Sequence, residues 1–188
     1  MLNEIHVIRH PQVNLPVGVC YGASDVEISK DGWLEMKNLR LDADYDSVFC
    51  SPSLRCRTLA DYFNFTYTVD TRLMELNFGS WEMKKWEDIP ENEIDPWYKD
   101  YYNVKAGGCE SLSDMKVRVN EFLKDINKIN RKKILIITHA GVIRLIRHLL
   151  LSTDQTEIFD FKVVHARIYI YLSDGESWKD TEFHLLKK

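Results

Sequence analysis

The sequence predicts an α/β fold: a three-layer sandwich whose mainly parallel sheet carries helices on both faces and has an antiparallel edge. Three observations predict it. Short apolar runs at 4–9 (EIHVIR), 47–50 (SVFC) and 133–138 (KILIIT) are bounded by charged or turn residues, as buried strands are. Helical patterns alternate with those runs. Two late segments, 167–172 (RIYIYL) and 181–186, have period two and follow one another closely, the pattern of an antiparallel edge.

The elements follow in order. The first strand, 4–9, is rich in β-branched residues. A helix over 30–41 follows Ser29, and a helix over 52–63 follows Ser51, with Pro52 at the first helical position, where its missing N–H costs nothing. The helix over 112–129 follows Ser111, whose spacing to Asp114 is that of a capping box shortened by one methylene. The last helix, 141–151, starts at Gly141 directly after the third strand. Between them, about 72–110, lies a stretch rich in Trp, Tyr, Glu and Asp with no sustained period. It reads as a lid or insertion within a single 1–188 domain, packed in part by Trp81, Trp86 and Trp97. Trp97, Tyr98, Tyr101 and Tyr102 read as core or lid.

The chain has 188 residues, the size of one domain, with 45% apolar and 29% charged residues. A net charge of -4 argues against general attraction to nucleic acid or anionic membranes, so any anion site must be local. Cys20, Cys50, Cys56 and Cys109 form no C-x-x-C pair and read as small buried hydrophobes. The amino terminus lacks an export pattern, and the apolar runs are too short to span a bilayer. Both features make the cytoplasm the expected location.

In open α/β sheets ligands bind beyond the carboxyl ends of the strands. Strand one ends in Arg9-His10, strand two runs into Ser51-Pro52-Ser53-Leu54-Arg55, and the third ends in His139-Ala140-Gly141 at a helix start. Two histidines and two arginines converge there, with no carboxylate or cysteine cluster suited to a metal. Forked donors, fixed positive charge and free helix N–H groups are what a phosphate dianion needs. A histidine among them can be a nucleophile, because neighbouring arginines disfavour its imidazolium and leave a ring nitrogen free to attack. Taken singly, His10 is a strand-end residue, His139 a helix cap and Arg55 a decoration like Arg40 and Arg57; their joint placement reverses that. His6 shares strand parity with His10 but has no neighbours to complete a metal set, and His6, His148, His165 and His184 read as structural or surface groups.

Further motifs lie in order along the chain: Tyr21-Gly22-Ala23-Ser24-Asp25 with Gly32, then Glu75 before Phe78-Gly79-Ser80-Trp81-Glu82, then Glu110-Ser111, then Thr138 to Arg144 (THAGVIR). With Arg9-His10-Pro11 and Ser51 to Arg55, the order resembles the histidine phosphatase, or phosphoglycerate mutase-like, superfamily over nearly the whole chain. The resemblance implies a phosphomonoester hydrolase acting on a small molecule through a phosphohistidine, without metal or other cofactor. It makes His10 the nucleophile, Glu75 the proton donor and later base, and Arg9, Arg55, His139 and Ala140 the phosphoryl ligands. Tyr21, Trp81 and Glu82 become candidates for substrate contact or lid.

Pro11 stands where the family has Gly, and Pro16 where it has a phosphate-binding Asn; Gln12 and Asn14 are candidate replacements. Cys109 stands where a Gly is usual, which leaves the role of Glu110 open. The strings Phe78 to Met83 and His139 to Arg144 most resemble phosphatases acting on α-ribazole 5'-phosphate in assembly of the cobalamin lower ligand. A phosphoglycerate mutase-type isomerase, for which the chain is short, and a catalytically impaired phosphate-binding regulator are the alternatives.

Overall fold

A computed structural model describes residues 3–42, 44–129 and 131–181. Three parallel strands, β1 (Glu4–Arg9), β2 (Ser47–Cys50) and β4 (Lys133–Thr138), form where the apolar runs predict them. A two-residue strand, β3 (Thr68–Val69), too short to leave a periodic signal, extends the parallel part. Strands β5 (Ile168–Ser173) and β6 (Trp178–Thr181) complete a six-stranded sheet of order β3-β2-β4-β1-β5-β6. Strand β5 runs antiparallel to both β1 and β6, so the antiparallel edge is present. The second predicted edge segment, 181–186, begins three residues earlier than the hydrophobic alternation suggests, at Trp178; residues 182–186 lie outside the described residues.

Helices cover both faces. Ile5, Val7, Ile134 and Ile136 face a core shared with α4 (Leu112–Lys128) and α5 (Ala140–Leu151). Ile8, Leu135 and Ile137 face a second core shared with α1 (Lys30–Asn38) and α2 (Leu54–Tyr62). Burying each of these aliphatic side chains stabilises the fold by roughly 1.5–3 kcal/mol. A one-residue slip would exchange the faces of β1, so its register is strongly fixed.

The caps behave as the sequence suggests at two helices. Ser29 accepts from the Gly32 N–H, and Ser111 with Asp114 forms the reciprocal capping box. Pro52 is a correction: α2 starts at Leu54 with Ser53 as its N-cap, which places Pro52 ahead of the helix. The cause is tertiary. The Leu54 N–H donates to Asp25 Oδ1 (2.7 Å), a cap supplied from 29 residues away in sequence.

Stretch 72–110 contains 3-10 turns at Gly79–Trp81 and Trp86–Asp88 and a helix, α3 (Glu91–Lys99), that periodicity missed because Pro96 lies inside it. Trp86 and Trp97 stack at 5.8 Å, and Trp81 meets both rings edge-on. No helix among the described residues is long and apolar enough to cross a membrane.

Candidate active site

Parallel pairing of β1 with β4 sets Arg9 opposite Thr138. The next residue on each strand is a histidine, and the His10 N–H donates to the Thr138 carbonyl (2.9 Å). The two imidazoles lie 5.2 Å apart, centroid to centroid. Strand β2 lies on the other side of β4, with Cys50 opposite Ile137, so Ser51 arrives at the same edge. Its Oγ is 2.7 Å from His139 Nε2.

His10 is 2% exposed, and its Nδ1 lies 2.7 Å from the Pro11 carbonyl oxygen. A carbonyl can only accept, so Nδ1 carries the proton and Nε2 keeps its lone pair. Proline supplies that carbonyl as well as glycine would, so this bond survives the exchange at position 11. Burial, then the charges of Arg55 and Arg9, holds the His10 imidazolium well below its usual range. His139 is fully buried and is lowered in the same way by burial, Arg55, His10 and Arg9. Both rings are neutral at neutral pH.

Arg55 is 0% exposed. Its Nη1 donates to the Ser24 carbonyl (2.8 Å) and its Nη2 to the Gly22 carbonyl (2.7 Å), while Nε is buried without a partner. Arg9 Nη1 donates to the Val163 carbonyl (2.8 Å), and its Nε is likewise buried and unpartnered. The guanidiniums of Arg55, fully buried, and Arg9, partly buried, form a strong local anion site in a chain of net charge -4.

The Tyr21–Asp25 segment positions Arg55. Glu82 fixes it from below, accepting from the N–H groups of Gly22 (3.0 Å), Ala23 (2.9 Å) and Ser24 (3.2 Å) and from Ser24 Oγ (2.6 Å). Burial opposes ionisation of Glu82, but these bonds lower its pKa. A Cβ at Gly22 would fall 1.8 Å from the Leu76 carbonyl oxygen, so only glycine fits.

Glu75 reaches the start of α5, where its Oε2 accepts from the Gly141 N–H (3.1 Å). Gly141 allows this approach: a Cβ there would stand 2.3 Å from Glu75 Oε1. Arg118 of α4 secures the segment carrying Glu75, donating to the carbonyls of Arg72 (2.7 Å), Met74 (2.7 Å) and Glu75 (3.1 Å). Its other contacts are Glu110 Oε1 (2.7 Å) and Oε2 (3.0 Å), and Glu110 also accepts from the Asn77 N–H. This assigns the open position of Glu110 to bracing the loop. Arg118 escaped sequence reasoning because most of its partners are backbone carbonyls, which leave no mark in a string of letters.

A cavity of about 150 Å³ is lined by Arg9, His10, Tyr21, Arg55 and Glu75, with Phe78 and Trp86 on its apolar side. Tyr21 also lies under the Arg55 guanidinium, 5.2 Å from ring centroid to Cζ. His139 borders His10 at the start of α5, and Ala140 is the first residue of that helix, at the positive end of its dipole.

Other sequence candidates lie elsewhere. Gln12 and Asn14 are exposed and outside the cavity; the Gln12 carbonyl accepts from Ser29, and the Asn14 N–H donates to the Glu27 carbonyl. Trp81 is 2% exposed and donates Nε1 to Glu93 Oε2 (2.8 Å), which makes it a core residue beneath the cavity wall. Cys109 is exposed, unlike the other three cysteines. His165, read from sequence as structural or surface, is half-buried with its ring 5.4 Å from that of His10. It was missed because it follows no parallel strand; it lies in the connection that enters β5. His6 and His148 stay away from the site, and His184 is outside the described residues. Among the described residues no group of three or more His, Cys, Asp or Glu side chains could hold a metal ion.

Paired histidines and arginines at the carboxyl edge of such a sheet are matched by a known family. The model of the histidine phosphatase superfamily (branch 1) matches residues 5–184, and the chain belongs to that superfamily. Phosphoserine phosphatase 1 of Hydrogenobacter thermophilus is 25% identical over 170 residues, covering 84% of this chain and 81% of the relative. The adenosylcobalamin/alpha-ribazole phosphatase of Salmonella typhimurium is 24% identical over 172 residues, 85% of each chain. The crystal structure of the alpha-ribazole phosphatase from Shigella flexneri has the same fold, with a TM-score of 0.86 at 21% identity over 95% of this chain and 94% of that one.

Proposed function

We propose that the protein is a phosphomonoesterase that works through a phosphohistidine on His10 and needs no metal ion. Family membership and the names of its relatives support phosphatase activity. The observation that carries the mechanism is an imidazole with Nδ1 tied to a carbonyl and Nε2 left unprotonated, buried between two guanidiniums.

In the first step His10 Nε2 attacks phosphorus in line, the P–O bond to the alcohol breaks, and Glu75 gives its proton to the departing oxygen. In the second, Glu75 takes a proton from water, the water oxygen bonds phosphorus, and the P–N bond breaks to return His10. Arg9, Arg55 and His139 stabilise charge on the transferring oxygens throughout, aided by the Ala140 N–H at the start of α5. Glu75 also borders a second cavity of about 400 Å³, which gives the leaving alcohol room on the proton donor's side.

For the substrate we favour α-ribazole 5'-phosphate. The named activities of the Salmonella relative and the apolar wall of Phe78 and Trp86, on which an aromatic base can stack, support it. Release of inorganic phosphate from α-ribazole 5'-phosphate, phosphoserine, phosphoglycerates and an aryl phosphate, each with and without EDTA, tests both claims. Turnover unchanged by chelator, and fastest on α-ribazole 5'-phosphate, is expected. Activity abolished by EDTA and restored by a divalent ion would overturn the mechanism; preference for phosphoserine would overturn the substrate.

A further inference from the structure

The connection entering β5 is tied down around His165 more firmly than a surface loop requires. Arg144 Nε donates to the Phe161 carbonyl (3.1 Å) and Arg9 Nη1 to the Val163 carbonyl (2.8 Å). The Val164 N–H donates to the Tyr169 hydroxyl (2.7 Å), and the Ala166 N–H to the Arg9 carbonyl (3.1 Å). Ala166 is held at φ +49°, a left-handed conformation that costs a residue with a Cβ energy and persists only where the surroundings impose it. The result of this anchoring is one side chain fixed in place. The His165 ring stands 5.4 Å from His10, on the nucleophile's own strand edge, and its Nε2 is buried with no hydrogen-bonding partner.

A buried ring nitrogen without a partner is costly, and its tolerance calls for an explanation. The neighbouring groups supply one. Arg9 and Arg55, beside the same histidine, each also carry a buried, unpartnered Nε. Burial and the Arg9 charge lower the His165 pKa to about 4, so the ring is neutral at neutral pH and can donate without protonation. Position 16, where the superfamily pattern calls for asparagine, is Pro16, which has no N–H to donate.

We propose that His165 is a phosphoryl-oxygen ligand of this site, its Nε2–H donating to the tetrahedral group carried by His10 and taking the part of the missing asparagine. This assignment rests on the phosphoryl-transfer chemistry proposed above. It adds a donor from the antiparallel edge of the sheet to those gathered from the parallel strands.

Two measurements test it. In wild-type protein labelled with 15N-histidine, saturation with inorganic phosphate is expected to shift the His165 ring nitrogens and raise its pKa, because a nearby anion favours the imidazolium. Unmoved His165 resonances under saturating phosphate would overturn the assignment, and this arm needs no variant to fold. In the second, His165→Ala is expected to raise the inhibition constant of inorganic phosphate, and to lower kcat/KM for an aryl phosphate, by roughly tenfold to a hundredfold, the scale of one hydrogen bond to a charged group. His165→Asn, which keeps an N–H donor, is expected to recover most of the loss. A lower melting temperature with an unchanged phosphate constant would make His165 merely structural. A wild-type protein that hydrolyses no phosphomonoester, yet whose His165 responds to phosphate, would end the catalytic reading and leave the ligand assignment standing.

Discussion

His10 and His139 lie 5.2 Å apart although 129 positions separate them in sequence, and the register of two parallel strands is the cause. Arg9 pairs with Thr138, both strands end at the same level, and the residue after each is a histidine. His10 also raises the cost of a proton on His139, after burial and Arg55. Two histidines at the same strand edge follow from that pairing, and burial with the Arg55 charge keeps both neutral.

Replacement of His10 by alanine is expected to abolish turnover while the fold persists, since the residue sits beyond β1 and not within either hydrophobic core. Wild-type protein quenched in acid-free conditions during turnover should carry phosphate on His10 by mass spectrometry, and the variant should carry none. Near-normal turnover in His10→Ala would exclude it as the phosphorylated residue.

Glu75→Gln is expected to spare phosphate binding and slow hydrolysis of poor leaving groups by roughly a hundredfold or more, the scale of lost general acid catalysis. The defect should shrink with an activated aryl phosphate. Equal losses with good and poor leaving groups would reassign Glu75 to positioning.

Gly141→Ala offers a subtler probe of the same group. The added Cβ meets the far end of the Glu75 side chain at 2.3 Å, so the carboxylate must move while the helix can remain. Misplacement of a catalytic group on this scale can cost roughly a hundredfold, so kcat is expected to fall by up to that factor with little change in melting temperature. Wild-type kcat would show that Glu75 need not sit against the start of α5.

Acid is expected to destabilise the protein beginning near pH 6.5. In the folded chain His10 and His139 titrate well below their ordinary value and His165 near 4. The unfolded chain takes up these protons as the pH falls through about 6.5, whereas the folded chain does not, so unfolding gains free energy as the pH drops toward the folded values. The urea midpoint should therefore be lower at pH 5 than at pH 7.5. His165→Asn should flatten the difference. Equal midpoints at the two pH values would contradict the burial of neutral histidines.

The positions of β1, β2 and β4, and the histidines and arginines that follow them, were legible in the sequence because buried parallel strands are short apolar runs and their carboxyl ends are fixed by those runs. The capping box of α4 was legible for a similar reason, since both partners lie within one turn. Other features were decided only by the tertiary structure. The start of α2 depends on Asp25, the placement of Glu75 on Arg118 and Gly141, and the hold on Arg55 on carbonyls that Glu82 keeps in position. His165, in the turn that enters β5, stands 5.4 Å from His10, and only the sheet order places that strand beside β1. Local pattern determines what a segment is, because hydrophobic period and caps act over a few residues. Which distant segments meet is set by strand register and by bonds to backbone groups, and those leave no residue-specific trace in the sequence.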